Sequence, residues 1–114
     1  MSTTTQHNSG SVYRIDKFAV PQAAREKFLA KLDETKVFLD TQEGCLQNVV
    51  LEHESGSERF NLITIVEWAD EAAFEKAKAA MVEARRESGF DPLEFIALLG
   101  VEADMANYVT VGAV

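Results

Sequence analysis

Apolar and polar residues alternate near the start of the chain, as is typical of a strand in a sheet. Residues 11–19 divide into two faces, and both contain apolar side chains. One face carries Tyr13 and Ile15, and the other carries Val12, Arg14, Asp16 and Phe18. A strand with apolar side chains on both faces needs a covering partner on each side.

Two longer segments show the apolar spacing of amphipathic helices. The first begins at Pro21, which suits the first turn of a helix, and is expected to end at about Thr41. The second follows Asp70, a good N-cap, and is expected to end near Gly89. Residues 92–99 are long enough for a further short helix.

Three more strands complete the expected order of elements. Residues 46–53 and 60–68 are separated by a turn-forming loop, which predicts an antiparallel hairpin. Strand-like alternation returns within residues 101–111, most clearly in residues 108–111. This order predicts the ferredoxin-like βαββαβ class of α+β fold, a four-stranded antiparallel sheet with its helices on one face. Residues 11–114 are expected to form this single domain, after a disordered N-terminal tail of residues 1–10.

The strands predict a partner because their apolar residues lie on both faces. Ile63 and Ile65 fall on the face opposite to Leu62 and Val66. Helices can cover only one side of the sheet, so we expect a second subunit to cover the other. The sequence therefore predicts a homodimer that associates through the sheet.

The charge of the chain argues against several classes of partner. The 114 residues include 19 acidic and 11 basic side chains, for a net charge of -8. Nucleic acids and anionic membranes both favour clustered Lys and Arg, so neither is expected as a partner. No stretch approaches the length of a membrane span. Cys45 is the single cysteine, which favours a reducing, cytoplasmic setting, and with two histidines it offers no metal site.

Two segments of the sequence, EGCLQNVVLEH and NLITIVEWADEAAFEKA, resemble the antibiotic biosynthesis monooxygenase domain of the dimeric α/β-barrel superfamily. The resemblance spans residues 12–111, with its sharpest elements in the Glu-Gly-Cys turn and the Glu-Trp ending of the third strand. It implies the dimeric α/β-barrel fold. That superfamily includes cofactor-free oxygenases of quinols and anthrone-like aromatics, haem-degrading enzymes, isomerases and proteins without established activity.

The residues that haem-degrading members use are only partly present. The resemblance implies an Asn late in the first strand, a Trp at the end of the third and a His in the second helix. Trp68 matches the Trp, whereas Asp16 stands in place of the Asn, and residues 70–88 contain no histidine. Haem degradation is therefore not expected, and no cofactor is predicted.

The members that oxidise polyketide aromatics are matched in part as well. The resemblance implies an Asn four residues before the Trp, a Tyr six residues after it and an Arg further along the helix. The first two places hold Thr64 and Phe74, and the Arg candidates are Arg85 and Arg86. Arg85 and Arg86 have neighbouring glutamates, so a solvated ion-pair network is the competing interpretation.

Eight residues are candidates for chemistry or binding. The catalytic candidates are Trp68, Asp16 and His53. Trp68 would form a wall of the cavity and donate a hydrogen bond, and Asp16 and His53 are alternative bases. The competing interpretations are a core anchor for Trp68, a salt bridge for Asp16 and a solvent-facing side chain for His53. The substrate-binding candidates are Tyr13, Arg14, Thr64, Phe74 and Tyr108.

Two functions remain open from the sequence. The first is a cofactor-independent monooxygenase that acts on a small aromatic substrate, a quinol or phenol. The second is a non-catalytic homodimer that binds a small apolar or aromatic ligand, because Thr64 and Phe74 replace the polar residues of the oxygenase branch.

Overall fold

The computed structural model of the chain describes residues 10–56 and 59–112. The predicted disordered tail, residues 1–10, lies outside this part of the chain except for Gly10. Within the described part, no helix combines the length and the apolar character that a membrane crossing requires.

Four strands form one antiparallel sheet in the order β2-β3-β1-β4. Their bounds are β1 Val12–Ala19, β2 Cys45–Glu52, β3 Leu62–Trp68 and β4 Glu102–Val109. The helices are α1 Arg25–Asp40, α2 Glu71–Ser88 and α3 Pro92–Leu99, with a 3-10 turn at Gln22–Ala24 leading into α1. The predicted ferredoxin-like α+β fold is confirmed.

Local sequence explains the bounds of α2 and α3. The side chain of Asp70 accepts a hydrogen bond from the Ala73 amide at 2.8 Å, which satisfies an amide at the first turn of α2. Asp91 caps α3 in the same way by accepting from the Leu93 amide at 3.0 Å. Gly89 ends α2 in the left-handed conformation that glycine adopts most readily.

The last strand differs from its prediction. The alternation favoured residues 108–111, but β4 begins at Glu102 and ends at Val109. β4 pairs with β1 over its whole length, from Glu102 opposite Ala19 to Val109 opposite Val12. Backbone hydrogen bonds to β1 stabilise this strand, so polar side chains such as Asp104 do not interrupt it.

The turn between α1 and β2 approaches α2 closely. Gly44 has a φ of +89°, and its carbonyl accepts a hydrogen bond from the Ala69 amide at 2.8 Å. A Cβ atom at Gly44 would lie 2.5 Å from the Cβ of Ala73. The Glu-Gly-Cys turn therefore requires glycine for both its conformation and its contact with α2.

Buried side chains form two clusters on the helix-facing side of the sheet. The first contains Phe18, Val20, Ala24, Phe28, Leu62 and Val101. The second contains Val12, Val66, Trp68, Phe74 and Ala77. The pairing of Asp16 with Thr64 and Arg14 with Val66 places these polar residues on the same side of the sheet as both clusters.

The opposite side of the sheet carries a second apolar surface. Ile15 of β1 lies beside Ile65 of β3, which in turn pairs with Val49 of β2. All three are only half-buried, and Leu51 on the same face is exposed. We call the surface formed by Ile15, Val49, Leu51, Ile63 and Ile65 the outer face.

Candidate active site

A cavity of about 490 Å³ lies between the sheet and the three helices. All four strands contribute to its lining, through Asp16 of β1, Asn48 of β2, Trp68 of β3 and Met105 of β4 among others. Its volume falls within the range of pockets that hold small organic ligands. The cavity is therefore the candidate functional site.

Aromatic and aliphatic side chains line most of the cavity. Trp68, at the end of β3 opposite Val12, is only 2% exposed. Phe74 comes from the first turn of α2, and Phe28 of α1 stacks with Phe95 of α3 at a ring-centroid distance of 6.4 Å. Such a lining favours an apolar, planar ligand.

The indole nitrogen of Trp68 keeps access to its surroundings. Within residues 10–56 and 59–112, no side-chain nitrogen or oxygen is both buried and without a hydrogen-bond partner. The indole Nε1 atom of Trp68 has no hydrogen bond to an acceptor in this part of the chain, so this atom is not fully buried. Trp68 lines the cavity, and its indole N–H is a donor without an acceptor among the described residues.

An ion pair lies on the floor of the cavity. The Nε atom of Arg14 donates to Oδ1 of Asp16 at 2.6 Å, and its Nη2 contacts the sulfur of Met105 at 3.6 Å. Burial raises the pKa of Asp16, and the hydrogen bond and charge of Arg14 oppose this effect without cancelling it. The carboxylate is thus held in place by Arg14 and is more basic than an ordinary aspartate.

Arg85 of α2 brings a second guanidinium group to this region. Burial lowers the pKa of Arg85, the nearby charge of Arg14 lowers it further, and the charge of Asp16 acts in the opposite direction. In the part of the chain that the structure describes, no carboxylate lies at ion-pair distance from the Arg85 guanidinium. The carboxylate of Asp16 acts on it through space.

Five of the eight candidate residues come together in the cavity. They are Arg14, Asp16, Thr64, Trp68 and Phe74. Thr64 lies next to Asp16 because the two residues are paired across β1 and β3.

The other three candidates lie elsewhere. Tyr13 and Tyr108 are paired with each other across β1 and β4, on the side of the sheet that faces away from the helices. His53 is exposed just beyond β2, where its amide donates to the carbonyl of Asn61 at 2.9 Å. The structure brings none of them into the cavity.

From the sequence, Arg85 and Arg86 remained alternative candidates for the pocket arginine. Arg85 falls on the helical face that runs from Phe74 through Lys78 and Met81, at intervals of three or four residues. That periodicity could have separated Arg85 from Arg86, whose guanidinium bonds to the carboxylate of Glu83 on the exposed side of α2.

Metal-binding residues do not converge in the described part of the chain. Across residues 10–56 and 59–112, no three His, Cys, Asp or Glu side chains are grouped so that they could hold a metal ion.

The family model of the antibiotic biosynthesis monooxygenases matches residues 11–90, which include β1, β2, β3, α1 and α2. The chain belongs to the antibiotic biosynthesis monooxygenase family. The matched segment contains Arg14, Asp16, Trp68 and Arg85, so the polar floor of the cavity lies within the family domain. No match to a curated protein was found.

Solved structures share the fold of this family member. A protein from Shewanella loihica PV-4 is 23% identical with a TM-score of 0.69, over 92% of this chain and 98% of its own. SnoaB, a cofactor-independent oxygenase from Streptomyces nogalater, is 19% identical with a TM-score of 0.62, over 91% and 96%. The haem degrader MhuD from Mycobacterium tuberculosis is 18% identical with a TM-score of 0.65, over 90% and 98%. At these identities the likeness establishes the common fold.

Proposed function

We propose that this protein is a cofactor-independent monooxygenase that acts on a small aromatic substrate, a quinol or phenol. The observation that carries the proposal is the carboxylate of Asp16 on the floor of a largely apolar cavity. Family membership supports an oxygenase, and the similarity to SnoaB supports one without a cofactor.

Asp16 is the base of the proposed reaction. Its partial burial raises its pKa, which strengthens it as an acceptor of the phenolic proton. Arg14 holds the carboxylate through the 2.6 Å hydrogen bond, so the oxygen that accepts the proton is fixed before the substrate arrives. Thr64, which is paired with Asp16 across β1 and β3 and lines the same cavity, is the proposed hydrogen-bond partner of the same substrate oxygen.

The substrate supplies the electrons for the reaction. Transfer of the phenolic proton to Asp16 gives an electron-rich phenolate, which attacks O₂ through a ring carbon and forms a C–O bond. Cleavage of the O–O bond and loss of the proton on that carbon leave a carbonyl group and release water. One phenol and one O₂ thus give one quinone and one water, and a quinol gives a hydroxyquinone with the same balance.

The apolar lining and Trp68 support this chemistry. Apolar walls beside the phenolate strengthen the electrostatic interactions that it makes within the cavity. The indole N–H of Trp68 has no protein acceptor in the described part of the chain, so it can donate to reduced oxygen or to a substrate carbonyl.

Haem degradation is the second activity found among proteins of similar fold. Haem iron is usually held by a His, Cys or Tyr, and Met can be a ligand beside a His. Met81 and Met105 line the cavity, but no His, Cys or Tyr is among the described residues of its lining, and α2 contains no histidine. We therefore propose an aromatic substrate rather than haem. Incubation with haem and ascorbate should leave the Soret band intact, whereas catalase-insensitive bleaching that depends on the protein would contradict this.

Homodimerisation through the outer face is part of the proposal. This face is apolar, and helices cover only the other side of the sheet. A specific dimer should bury at least about 1,200 Å² in total. The two cavities would then lie on the far sides of the paired sheets, one in each subunit.

Oxygen uptake tests the proposed activity directly. Quinols and phenols of one to three rings are supplied under ¹⁸O₂, and the products are analysed by mass spectrometry against a protein-free reaction. We expect one ¹⁸O atom per quinone product and a loss of at least about tenfold in rate for Asp16→Asn. Asp33→Asn, an exposed aspartate of α1, is the matched control and should retain the wild-type rate.

The same experiment separates the monooxygenase from a ligand-binding protein without activity. Phe74, buried at the start of α2, favours the second candidate because it offers hydrocarbon at a place where the oxygenase branch carries a polar side chain. Saturable binding of the aromatic panel without uptake of oxygen would support that candidate and contradict the monooxygenase.

A further inference from the structure

Cations predominate among the charged residues of the cavity, although the whole chain carries a net charge of -8. Among the described residues, the basic side chains of the lining are Arg14, Lys31, Lys36, Lys78 and Arg85. Asp16 is the one acidic side chain in the same described lining. The cavity is therefore a positive region within an acidic protein. A positive region of this kind attracts negatively charged ligands.

Three of these cations are compensated by nearby carboxylates. Arg14 pairs with Asp16 on the floor of the cavity. Lys31 Nζ lies 2.7 Å from a carboxylate oxygen of Glu34, and it also sits 3.9 Å above the ring centroid of Phe90. Lys36 pairs in the same way with Asp40, at 3.2 Å.

Arg85 and Lys78 are not compensated in this way. Within the described part of the chain, neither residue has a carboxylate at ion-pair distance. They lie seven residues apart on α2, two turns along one face, with Met81 between them. Both side chains line the cavity from the same wall.

Arg85 is the better placed of the two to hold an anion. Burial disfavours its charged form, and an anion that paired with it would compensate that cost. Arg14 and Arg85 together carry two positive charges against the single negative charge of Asp16. These three groups therefore have a net charge of +1, which one anionic group of a ligand would neutralise.

We infer that the ligand of this cavity is an aromatic carboxylate, with its carboxylate group on Arg85 and its ring against Met81 and Trp68. The inference rests on the proposed function, because it takes this cavity as the substrate site. A planar guanidinium group matches a carboxylate with two parallel hydrogen bonds, and this geometry favours a carboxylate over a neutral polar group.

A pair of matched ligands tests the inference without turnover. Calorimetry compares naphthalene-2-carboxylate with naphthalene-2-carboxamide, which has nearly the same shape and no charge. We expect the carboxylate to bind at least about tenfold more tightly to the wild-type protein at neutral pH and low salt. Equal affinities for the two ligands would overturn the inference whatever any variant does.

Neighbouring arginines of α2 provide a matched pair of variants. Arg85→Gln should lower the affinity for the carboxylate about tenfold and leave the affinity for the carboxamide unchanged. Arg86→Gln should change neither affinity, because Arg86 is exposed and paired with Glu83. Thermal unfolding verifies that both variants are folded. A loss of carboxylate affinity that is the same in both variants would contradict the assignment of Arg85.

Oxygen uptake separates the failure of this inference from the failure of the proposed function. Selective binding of the carboxylate without oxidation of any aromatic would contradict the monooxygenase and leave the ligand class standing. Equal kcat/KM for 1,4-dihydroxynaphthalene and its 2-carboxylate would overturn the ligand class and leave the monooxygenase standing.

Discussion

The carboxylate of Asp16 accepts a hydrogen bond from Arg14 at 2.6 Å, yet its pKa is raised rather than lowered. The two residues are two positions apart on β1, so both point to the cavity side of the sheet. Burial of Asp16 outweighs the favourable interaction with Arg14. The fold therefore keeps a carboxylate in its cavity at some cost in stability.

That cost predicts a dependence of stability on pH. Since the pKa of Asp16 is higher in the folded than in the unfolded chain, the folded state binds the proton more tightly. Ionisation of Asp16 should thus lower the free energy of unfolding as pH rises from about 4 through the folded pKa. Asp16→Asn resembles the protonated form and does not ionise. Its free energy of unfolding relative to that of wild type should therefore increase as pH rises from about 4 to about 7.

Thermal unfolding of both proteins across this range measures the effect. Asp33→Asn, at an exposed aspartate of α1, is measured in parallel as the control. A difference between Asp16→Asn and wild type that does not change with pH would contradict the prediction.

Replacement of Trp68 should affect both stability and binding. Trp68 belongs to a buried cluster and lines the cavity, so a core role and a pocket role are not alternatives. Trp68→Phe should lower the free energy of unfolding by about 1–3 kcal/mol through lost contacts. It should also weaken binding of aromatic ligands, because the indole N–H is removed. Chemical denaturation and ligand titration on the same variant measure the two effects, and unchanged affinity would leave only the core role.

Gly44→Ala should destabilise the protein more than Gly89→Ala does. Both glycines have positive φ, so both substitutions place a side chain in an unfavourable conformation. A Cβ at Gly44 would also collide with Ala73, whereas a Cβ at Gly89 meets no heavy atom within 4 Å. We expect about 1 kcal/mol from the conformation alone and clearly more at Gly44. Urea denaturation measures the stability of both variants. Equal losses of stability would show that the turn can move away from Ala73 without a further loss of stability.

Ile65→Lys should convert the proposed dimer to a monomer. Ile65 lies at the centre of the outer face, between Ile15 and Val49, so a charge there would be buried in the interface. Val82→Lys on α2 is the control, since Val82 is 57% exposed on a helix. Sedimentation velocity at micromolar concentration should show dimers for wild type and Val82→Lys. Monomeric wild-type protein would refute the proposed interface.

The sequence predicted the face of most strand residues because alternation has a period of two. It placed Arg14 and Asp16 together on one face of β1, and the structure places both in the cavity. For His53 the sequence left two interpretations, a base or a solvent-facing side chain, and the structure leaves His53 exposed just beyond β2. Chemical type suggested His53 for catalysis, but geometry did not bring it to the site.

Features that depend on distant parts of the chain could not be predicted in the same way. β4 contains polar residues such as Asp104 and owes its extent to pairing with β1, which lies more than 80 residues earlier. Nearby glutamates in the sequence suggested an ion pair for Arg85, but the packing of α2 on the sheet leaves its guanidinium in the cavity without a carboxylate at ion-pair distance among the described residues. Side-chain periodicity predicts the face of a helix, but tertiary packing decides which charges remain without a partner.

The alternation of faces along β1 and β3 determines which changes in chain length the protein can accept. Trp68, Val66 and Thr64 face the cavity, and Ile65 and Ile63 face the other way. Deleting one residue within β3 would reverse these directions for every position beyond it, so that the residues of the cavity and those of the outer face would change places. Insertions and deletions should consequently be confined to the connections between elements, while substitutions can adjust the two faces of each strand independently.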